Sequence, residues 1–350
     1  MSDGAKPFIE VAAGLILRPD GALLLAQRPA DKPWPGWWEL PGGKIEAGET
    51  TLQALARELK EELGIEVTKA APWVTYTHEY PKNIVRLAFC RVTAWNGEPA
   101  GLEGQTLAWA RPGSRMEVGP LLPATEPPLR WIQLPTRYLI TAIGGRKGLP
   151  AFLDKLSAAL AQGVRLVQFR ESAWMQESVA EAYAAFTHVL RLCRQAGALC
   201  LVNSCHPESW RAQADGVHYR AADARRLTSA PGAAAIRADA SRAAKDGIDP
   251  AGNAAGDRKE KAPGLIAVSA HDKADLQAAR ELGADFAVLG HVLDTPSHPG
   301  QPGMGWVRFA ELAADAGLPV YAIGGQSAAT LDEAWRHGAH GIAGIRGLAG

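Results

Sequence analysis

At 350 residues the chain is too long for one small domain, and domain sizes of about 100 to 200 residues suggest two. Lys+Arg and Asp+Glu balance at 37 each, so no basic field exists to hold a nucleic-acid polymer, although a metal and local side chains can still neutralise a single nucleotide. No run approaches the roughly 18 apolar residues of a bilayer span, the start shows no signal-peptide pattern, and Cys90, Cys193, Cys200 and Cys205 form no CxxC pair, which together predict a protein of the reducing cytoplasm with no membrane partner and its cysteines used for packing.

In chain order, the apolar runs Phe8 to Leu17 and Ala22 to Gln27 flank Pro19-Asp20-Gly21, a turn signal that predicts a hairpin. Arg28 ends the second strand, and Trp34, Trp37 and Trp38 crowd the segment that follows, Trp34 and Trp37 being read as packing. Pro41-Gly42-Gly43 then punctuates a turn, and Thr50 or Thr51 can cap a helix running to Gly64. On that helix Glu58, Glu61 and Glu62 stand at i, i+3 and i+4, so their carboxylates share a face. A solvated acidic face is the plain reading. The stronger one is a cluster of oxygen ligands for a hard cation such as Mg²⁺, with Mn²⁺ as the alternative.

Downstream, strands are predicted at Trp73 to Glu79, Val85 to Trp95 and Leu107 to Ala110, with Asn96-Gly97 as a further hairpin signal, and a helix at Glu126 to Ile132. Pro127, Pro128 and Pro135 bracket a boundary at Gln133 to Thr136, giving domains 1–134 and 135–350. The second half alternates eight short β-branched runs with helical segments: Tyr138 to Thr141, Leu166 to Arg170, Leu199 to Asn203, Gly216 to Tyr219, Leu265 to Ser269, Phe286 to Gly290, Val320 to Gly324 and Gly341 to Ile345. The intervening helical patterns include Met175 to Gln195, Lys273 to Leu282, Gly305 to Ala316 and Ala328 to His337, and this rhythm is the sequence form of a (β/α)₈ barrel. Residues 229–263, rich in Ala, Gly, Asp and Lys, read as a disordered insert.

Gly43, five residues, Glu49, seven residues, then Arg57-Glu58-Leu59-Lys60-Glu61-Glu62-Leu63-Gly64-Ile65 resembles in full the box of the Nudix hydrolases. Likeness to the MutT type within that family extends over roughly residues 8 to 132, through Arg28, Trp38 to Lys44, Gly97-Glu98-Pro99, Gly101 to Gln105 and Pro123 to Pro127. The resemblance implies a mixed α/β sandwich and hydrolysis of an oxidised purine nucleoside triphosphate, 8-oxo-dGTP, to monophosphate and pyrophosphate, in the service of nucleotide-pool sanitation. It also implies divalent ions held by the Gly42 carbonyl and by Glu58, Glu61, Glu62 and Glu103, with Glu58 helping to activate water and Arg57 paired to Glu49. Arg28, Leu40, Lys44, Asn83 and Thr125 would face the substrate. Thr125 stands where the family pattern has an asparagine, and Asn83 where it has an arginine.

The second half resembles the thiamine-phosphate synthase and TenI superfamily, α/β (β/α)₈ TIM barrels. The residues that carry the likeness are Tyr138 to Thr141, Val167 to Glu171, Ala214 to His218, Ser269 to His271, Gly290 to Thr295 and Ala322 to Gly325. That likeness implies a site at the strand ends built from Gln168, Arg170, Asn203, His271, Thr295, Gly324 and Gly325, the two glycines offering backbone N–H groups to a thiazole phosphate or similar ligand. The synthase pattern is broken, however. Ser172 replaces a lysine, Ser204 replaces a metal-binding aspartate, Asp223 keeps the other acidic position, and Ser297 and His298 depart from the segment after Thr295. Gly290-His291-Val292 looks more like TenI, a thiazole tautomerase in which the histidine matching His271 transfers protons. His271 is therefore either such a group or a hydrogen-bonded histidine at a strand end, while His218 and His291 are read as structural. The barrel is expected to have lost synthase chemistry, the alternatives being a thiazole tautomerase or a non-catalytic ligand-binding or dimerisation module.

Overall fold

A computed structural model describes residues 6–113, 117–229, 264–297 and 299–348. Most of the expected insert, 230–263, lies outside the described residues, as does His298; Ser229 is the last residue of a helix. The chain divides into two units between Leu134 and Pro135, the first also taking Ala313–Pro319 and Trp335–Ala339.

Among the described residues the first unit holds seven strands in two sheets. One sheet has the order β4 (Gly42–Lys44), β1 (Phe8–Ile16), β6 (Ile84–Asn96), β5 (Glu66–Glu79); the other has β3 (Trp38–Glu39), β2 (Leu23–Gln27), β7 (Thr106–Ala110). Helix α1 (Thr51–Leu63) packs on the first sheet through Leu55, Leu59 and Leu63, all fully buried and four residues apart, in one cluster with Ile16, Cys90 and Val92 of that sheet and Leu24 of the other. Each such leucine contributes roughly 1.5–3 kcal/mol by leaving water, so the apolar stripe fixes the helix and turns its glutamates outward. Thr50 starts the helix with a full capping box, its hydroxyl receiving Gln53 N–H and the Gln53 side chain receiving Thr50 N–H. Gly64, at φ 70°, ends it in the left-handed conformation that only glycine takes at no steric cost.

Two turn expectations are corrected. Arg18 to Ala22 does form the turn, but only one bridge, Leu17 to Leu23, follows it: β1 continues into one sheet and β2 into the other. Asn96-Gly97 likewise joins strands of different sheets, and the hairpin partner of β6 is β5, through a loop closed by Tyr80 N–H to the Asn83 carbonyl. In both cases the strands on either side of the turn feed both core clusters, β1 through Ala13 and Leu15 to one and Ala12 and Ile16 to the other, β2 through Leu23 and Leu25 to one and Leu24 to the other, so the two faces are buried alike and the turn by itself does not assign a sheet. The second helix, α2, spans Glu126–Trp131.

The second unit is a closed barrel of eight parallel strands: β8 (Arg137–Ile140), β9 (Leu166–Phe169), β10 (Leu199–Asn203), β11 (Gly216–Tyr219), β12 (Leu265–Ala270), β13 (Phe286–Gly290), β14 (Val320–Ile323) and β15 (Gly341–Gly344), with β15 pairing back to β8. Every strand lies within a residue or so of its predicted range. The interior is packed rather than open: Tyr138, Phe286 and Tyr321 meet with ring centres 4.9 to 5.9 Å apart. The helix expected over 175–195 is two, Ser172–Glu177 and Val179–Gln195, because Ser178 adopts an extended conformation and caps the second through Glu181 N–H. Among the described residues no helix is long and apolar enough to cross a membrane.

Candidate functional site

The first unit brings its acidic groups together at the junction of β4, α1 and the loop before β7. Gly42 sits at φ 142° with its Cα against the Ala12 carbonyl, so no side chain fits there, and its N–H donates to Glu62 Oε2 at 3.2 Å. At Gly43 the missing Cβ is replaced by the Glu58 carboxylate itself, which lies where a methyl would be. Glycine at this position is thus what admits Glu58 to the turn.

Arg57 ties the turn to the helix. Its Nε and one terminal nitrogen grip both oxygens of Glu49 at 2.8 and 2.9 Å, its other nitrogen donates to Glu58 Oε1 at 3.0 Å and Glu61 Oε2 at 3.3 Å, and it also reaches the Lys44 carbonyl at 3.1 Å. The hydrogen bonds from Arg57 hold the Glu49 carboxyl down to about 2. Glu62 goes the other way: burial, opposed by the Gly42 N–H and reinforced by Glu103, Glu39 and Glu58, pushes its carboxyl up to about 7. Such a group is short of positive charge.

Glu103 reaches the cluster because its loop is stitched to the end of α1. Ala100 and Leu102 N–H donate to the Leu63 and Glu62 carbonyls, and Gln105 bonds both the Glu62 carbonyl and Glu103 N–H. Lys32 stands 3.5 Å from Glu103. Glu39, Lys32 and Gln105 had not been singled out in the sequence. For Glu39 the signal was available, an acid two residues before Pro41 with Arg28 eleven residues upstream.

Among the described residues no three His, Cys, Asp or Glu side chains form a finished metal cage. The residues nevertheless fit a divalent cation of the Mg²⁺ type, which keeps several waters and binds through one or two carboxylates plus substrate phosphates. The donors are all oxygens, Glu58 is fitted against the turn by the bare Cα of Gly43, and the raised Glu62 carboxyl marks the charge a cation would offset.

Other expected positions fall around this cluster. Arg28 holds Glu39 with two bonds of 2.6 and 2.7 Å and the Pro33 carbonyl at 2.6 Å. Lys44 is exposed, Leu40 lies in the core at 6% exposure, and Asn83 is in the β5–β6 loop. Thr125 is buried ahead of α2, and its hydroxyl does not cap the helix. Trp34 corrects the packing expectation: it is 41% exposed, at φ 61°, edge-on to Trp37 at 4.9 Å and tilted toward Tyr80 at 6.4 Å. Trp37 is half-buried.

In the barrel the expected residues cluster at the C-terminal strand ends, where barrel sites form. Gln168 and Asn203 are buried in a chain running from Asn203 Nδ2 through Gln168 to the Tyr138 hydroxyl, which meets His218, whose other nitrogen meets Ser269. Burial pushes His218 down to about 3, so it is a neutral structural group. His271 follows β12 with its Nδ1 3.2 Å from the buried Asp275 and its side chain 66% exposed. Thr295 Oγ1 receives Ser297 N–H, and the Cα atoms of Gly324 and Gly325 pack against His291 and Leu293.

Residues 7–132 match the NUDIX domain family, and residues 137–236 and 247–348 match the TMP-TENI family, thiamine monophosphate synthase. An 8-oxo-dGTP diphosphatase of Haemophilus influenzae is 44% identical over 104 residues, 30% of this chain and 76% of that one. A CTP pyrophosphohydrolase of Escherichia coli is 43% identical over 120 residues, 34% of this chain and 87% of its own. A protein of Aquifex aeolicus whose name places it with the thiamine-phosphate synthases is 28% identical over 214 residues, 61% of this chain and 97% of its own. The chain therefore belongs to the Nudix family through its first unit and to the thiamine monophosphate synthase and TenI family through its second.

Proposed function

We propose that the first unit is a magnesium-dependent nucleotide pyrophosphohydrolase that splits 8-oxo-dGTP to its monophosphate and pyrophosphate, keeping oxidised purine out of the nucleotide pool. The observation that carries this is the fit of Glu58 into the space left by the bare Cα of Gly43, beside a Glu62 carboxyl made proton-hungry by burial and by Glu39, Glu58 and Glu103. A divalent ion bound there would offset charge on the bridging and leaving oxygens and acidify a water. Glu58 lies where it can take the proton from such a water, and Arg57, tied to Glu49 and Lys44, keeps its carboxylate from swinging out. Glu61, Glu62, Glu103 and the Gly42 carbonyl complete the ligand set, and Lys44 adds one positive charge toward the phosphates.

Base selection rests on the face formed by Trp34 and Tyr80 with Arg28, Asn83 and Thr125. The relation to the Haemophilus influenzae 8-oxo-dGTP diphosphatase supports the oxidised purine. Thr125 favours a second reading, a pyrimidine triphosphate, since one hydroxyl offers less than an amide to a purine edge and the Escherichia coli CTP pyrophosphohydrolase is equally similar. The test is a screen of 8-oxo-dGTP, dGTP and CTP with purified full-length protein, reading pyrophosphate release. A kcat/KM for 8-oxo-dGTP at least tenfold above both others is expected; a preference for CTP transfers the reading to the pyrimidine. Domain limits of 1–134 and 135–350 are part of the proposal.

A further inference from the structure

Among the described residues three basic side chains pair with the carboxylates around the proposed metal site of the first unit, and they are held very differently. Arg57 donates to Glu49, Glu58, Glu61 and the Lys44 carbonyl. Arg28 grips both oxygens of Glu39 and reaches the Pro33 carbonyl. Neither can leave without stranding several partners. Lys32 meets one carboxylate, Glu103, at 3.5 Å, longer than a good ammonium–carboxylate hydrogen bond, and the two side chains are 47% and 44% exposed. It is the one of the three that an incoming ion can displace.

The backbone nevertheless fixes where Lys32 stands. The Pro29 carbonyl receives Lys32 N–H at 3.3 Å, and Arg28 Nε holds the next carbonyl along, that of Pro33, at 2.6 Å. Glu103 is fixed in turn by the stitching of its loop to the end of α1 through Ala100, Leu102 and Gln105. The Lys32 ammonium also acts on Glu39, and Glu39 and Glu103 both act on Glu62, so it stands at the edge of the carboxylates that a divalent ion would join. A lysine in that place offsets part of their repulsion with one charge, where the ion brings two and takes several oxygens at once. To bind Glu103 the ion must take it from Lys32. What the pair contributes is then subtracted from the affinity for the ion, and by linkage the ion weakens the pair by the same factor.

We propose, resting on the metal-dependent hydrolase reading of this site, that Lys32 is the counter-ion of Glu103 in the metal-free protein, that a divalent ion displaces it, and that this competition holds the metal affinity down. The probe is Mn²⁺, titrated without nucleotide into full-length protein stripped with EDTA and desalted, the bound ion being read by electron paramagnetic resonance. Lys32→Ala should bind Mn²⁺ about three- to fivefold more tightly than wild type, the range an exposed pair allows, and Lys32→Arg should stay within about twofold of wild type. Glu103→Gln should bind more weakly, and adding Lys32→Ala to it should change nothing beyond about twofold, because the partner is already gone. Equal affinity in wild type and Lys32→Ala, or a gain that survives in full beside Glu103→Gln and so reports only long-range charge, would overturn the competition and leave the metal site standing. Failure of wild type to bind any Mn²⁺ would overturn the hydrolase reading and this proposal with it.

Discussion

Gly43→Ala separates the fold of the first unit from its chemistry. Gly43 is not in the left-handed region, so alanine strains no backbone, and the atoms a new methyl would overlap are the three carboxylate atoms of Glu58, all nearer than the 3.0 Å that Cβ atoms essentially never breach. The carboxylate sits at the end of a flexible chain and can retreat, by about 1 Å, at little cost in stability. A displacement of that size in a catalytic group lowers turnover by about 10²-fold, equivalent to about 2.7 kcal/mol in the barrier. The expected result is therefore a melting curve within about 1 kcal/mol of wild type and a kcat for pyrophosphate release down by about two orders of magnitude. Gly42→Ala is the contrasting control, since its methyl would meet the Ala12 backbone at φ 142°, and it should lose the fold as well as the activity. A Gly43→Ala protein with kcat within threefold of wild type would show that the placement of Glu58 does not matter to catalysis.

Thr50→Ala, which removes the capping box, should cost about 1 kcal/mol of stability in urea denaturation while leaving KM unchanged; no loss would mean that Gln53 alone holds the helix start. Burial holds His206 at about 4 and His218 at about 3, both below the ordinary imidazole value, so their contribution to stability is complete above about pH 6.5 and is lost as pH falls toward those values. Each should withdraw about 2 kcal/mol between pH 7 and pH 5, and equal barrel stability at the two pH values would contradict their neutral burial. The full-length protein should form no thiamine phosphate from a pyrimidine pyrophosphate and a thiazole phosphate in Mg²⁺, because Ser172 and Ser204 replace a cation and a carboxylate and Arg220 engages Asp223; product by mass spectrometry would refute that reasoning.

The barrel was legible because each of its strands is a short apolar run between turn residues, and parallel strands buried on both faces must read that way. The Nudix helix was legible because Thr50, the leucine stripe and Gly64 each state one boundary or face locally. Where local signals had to choose a sheet they failed: Pro19-Asp20-Gly21 and Asn96-Gly97 specify turns, but the flanking strands each feed both core clusters, so nothing local says which sheet a strand joins. Glu39 and Gln105 stand in runs that carry the family likeness, but their roles depend on Arg28 and on the end of α1, contacts that no spacing rule contains. The pairing of Asp223 with Arg220 was equally invisible, since Arg220 is an unremarkable surface residue until its side chain is seen closing on the acid three residues away.

On the proposed mechanism Glu58, admitted by Gly43, serves a water attack that releases pyrophosphate. The measurement that tests it most directly follows 8-oxo-dGTP with wild type and Glu58→Gln in Mg²⁺ and ¹⁸O-labelled water, with products resolved by mass spectrometry. Wild type should give 8-oxo-dGMP and unhydrolysed pyrophosphate with label incorporated once per turnover, and a folded Glu58→Gln should turn over at least about 10³-fold more slowly. Release of orthophosphate in place of pyrophosphate, or near-normal turnover by Glu58→Gln, would contradict it.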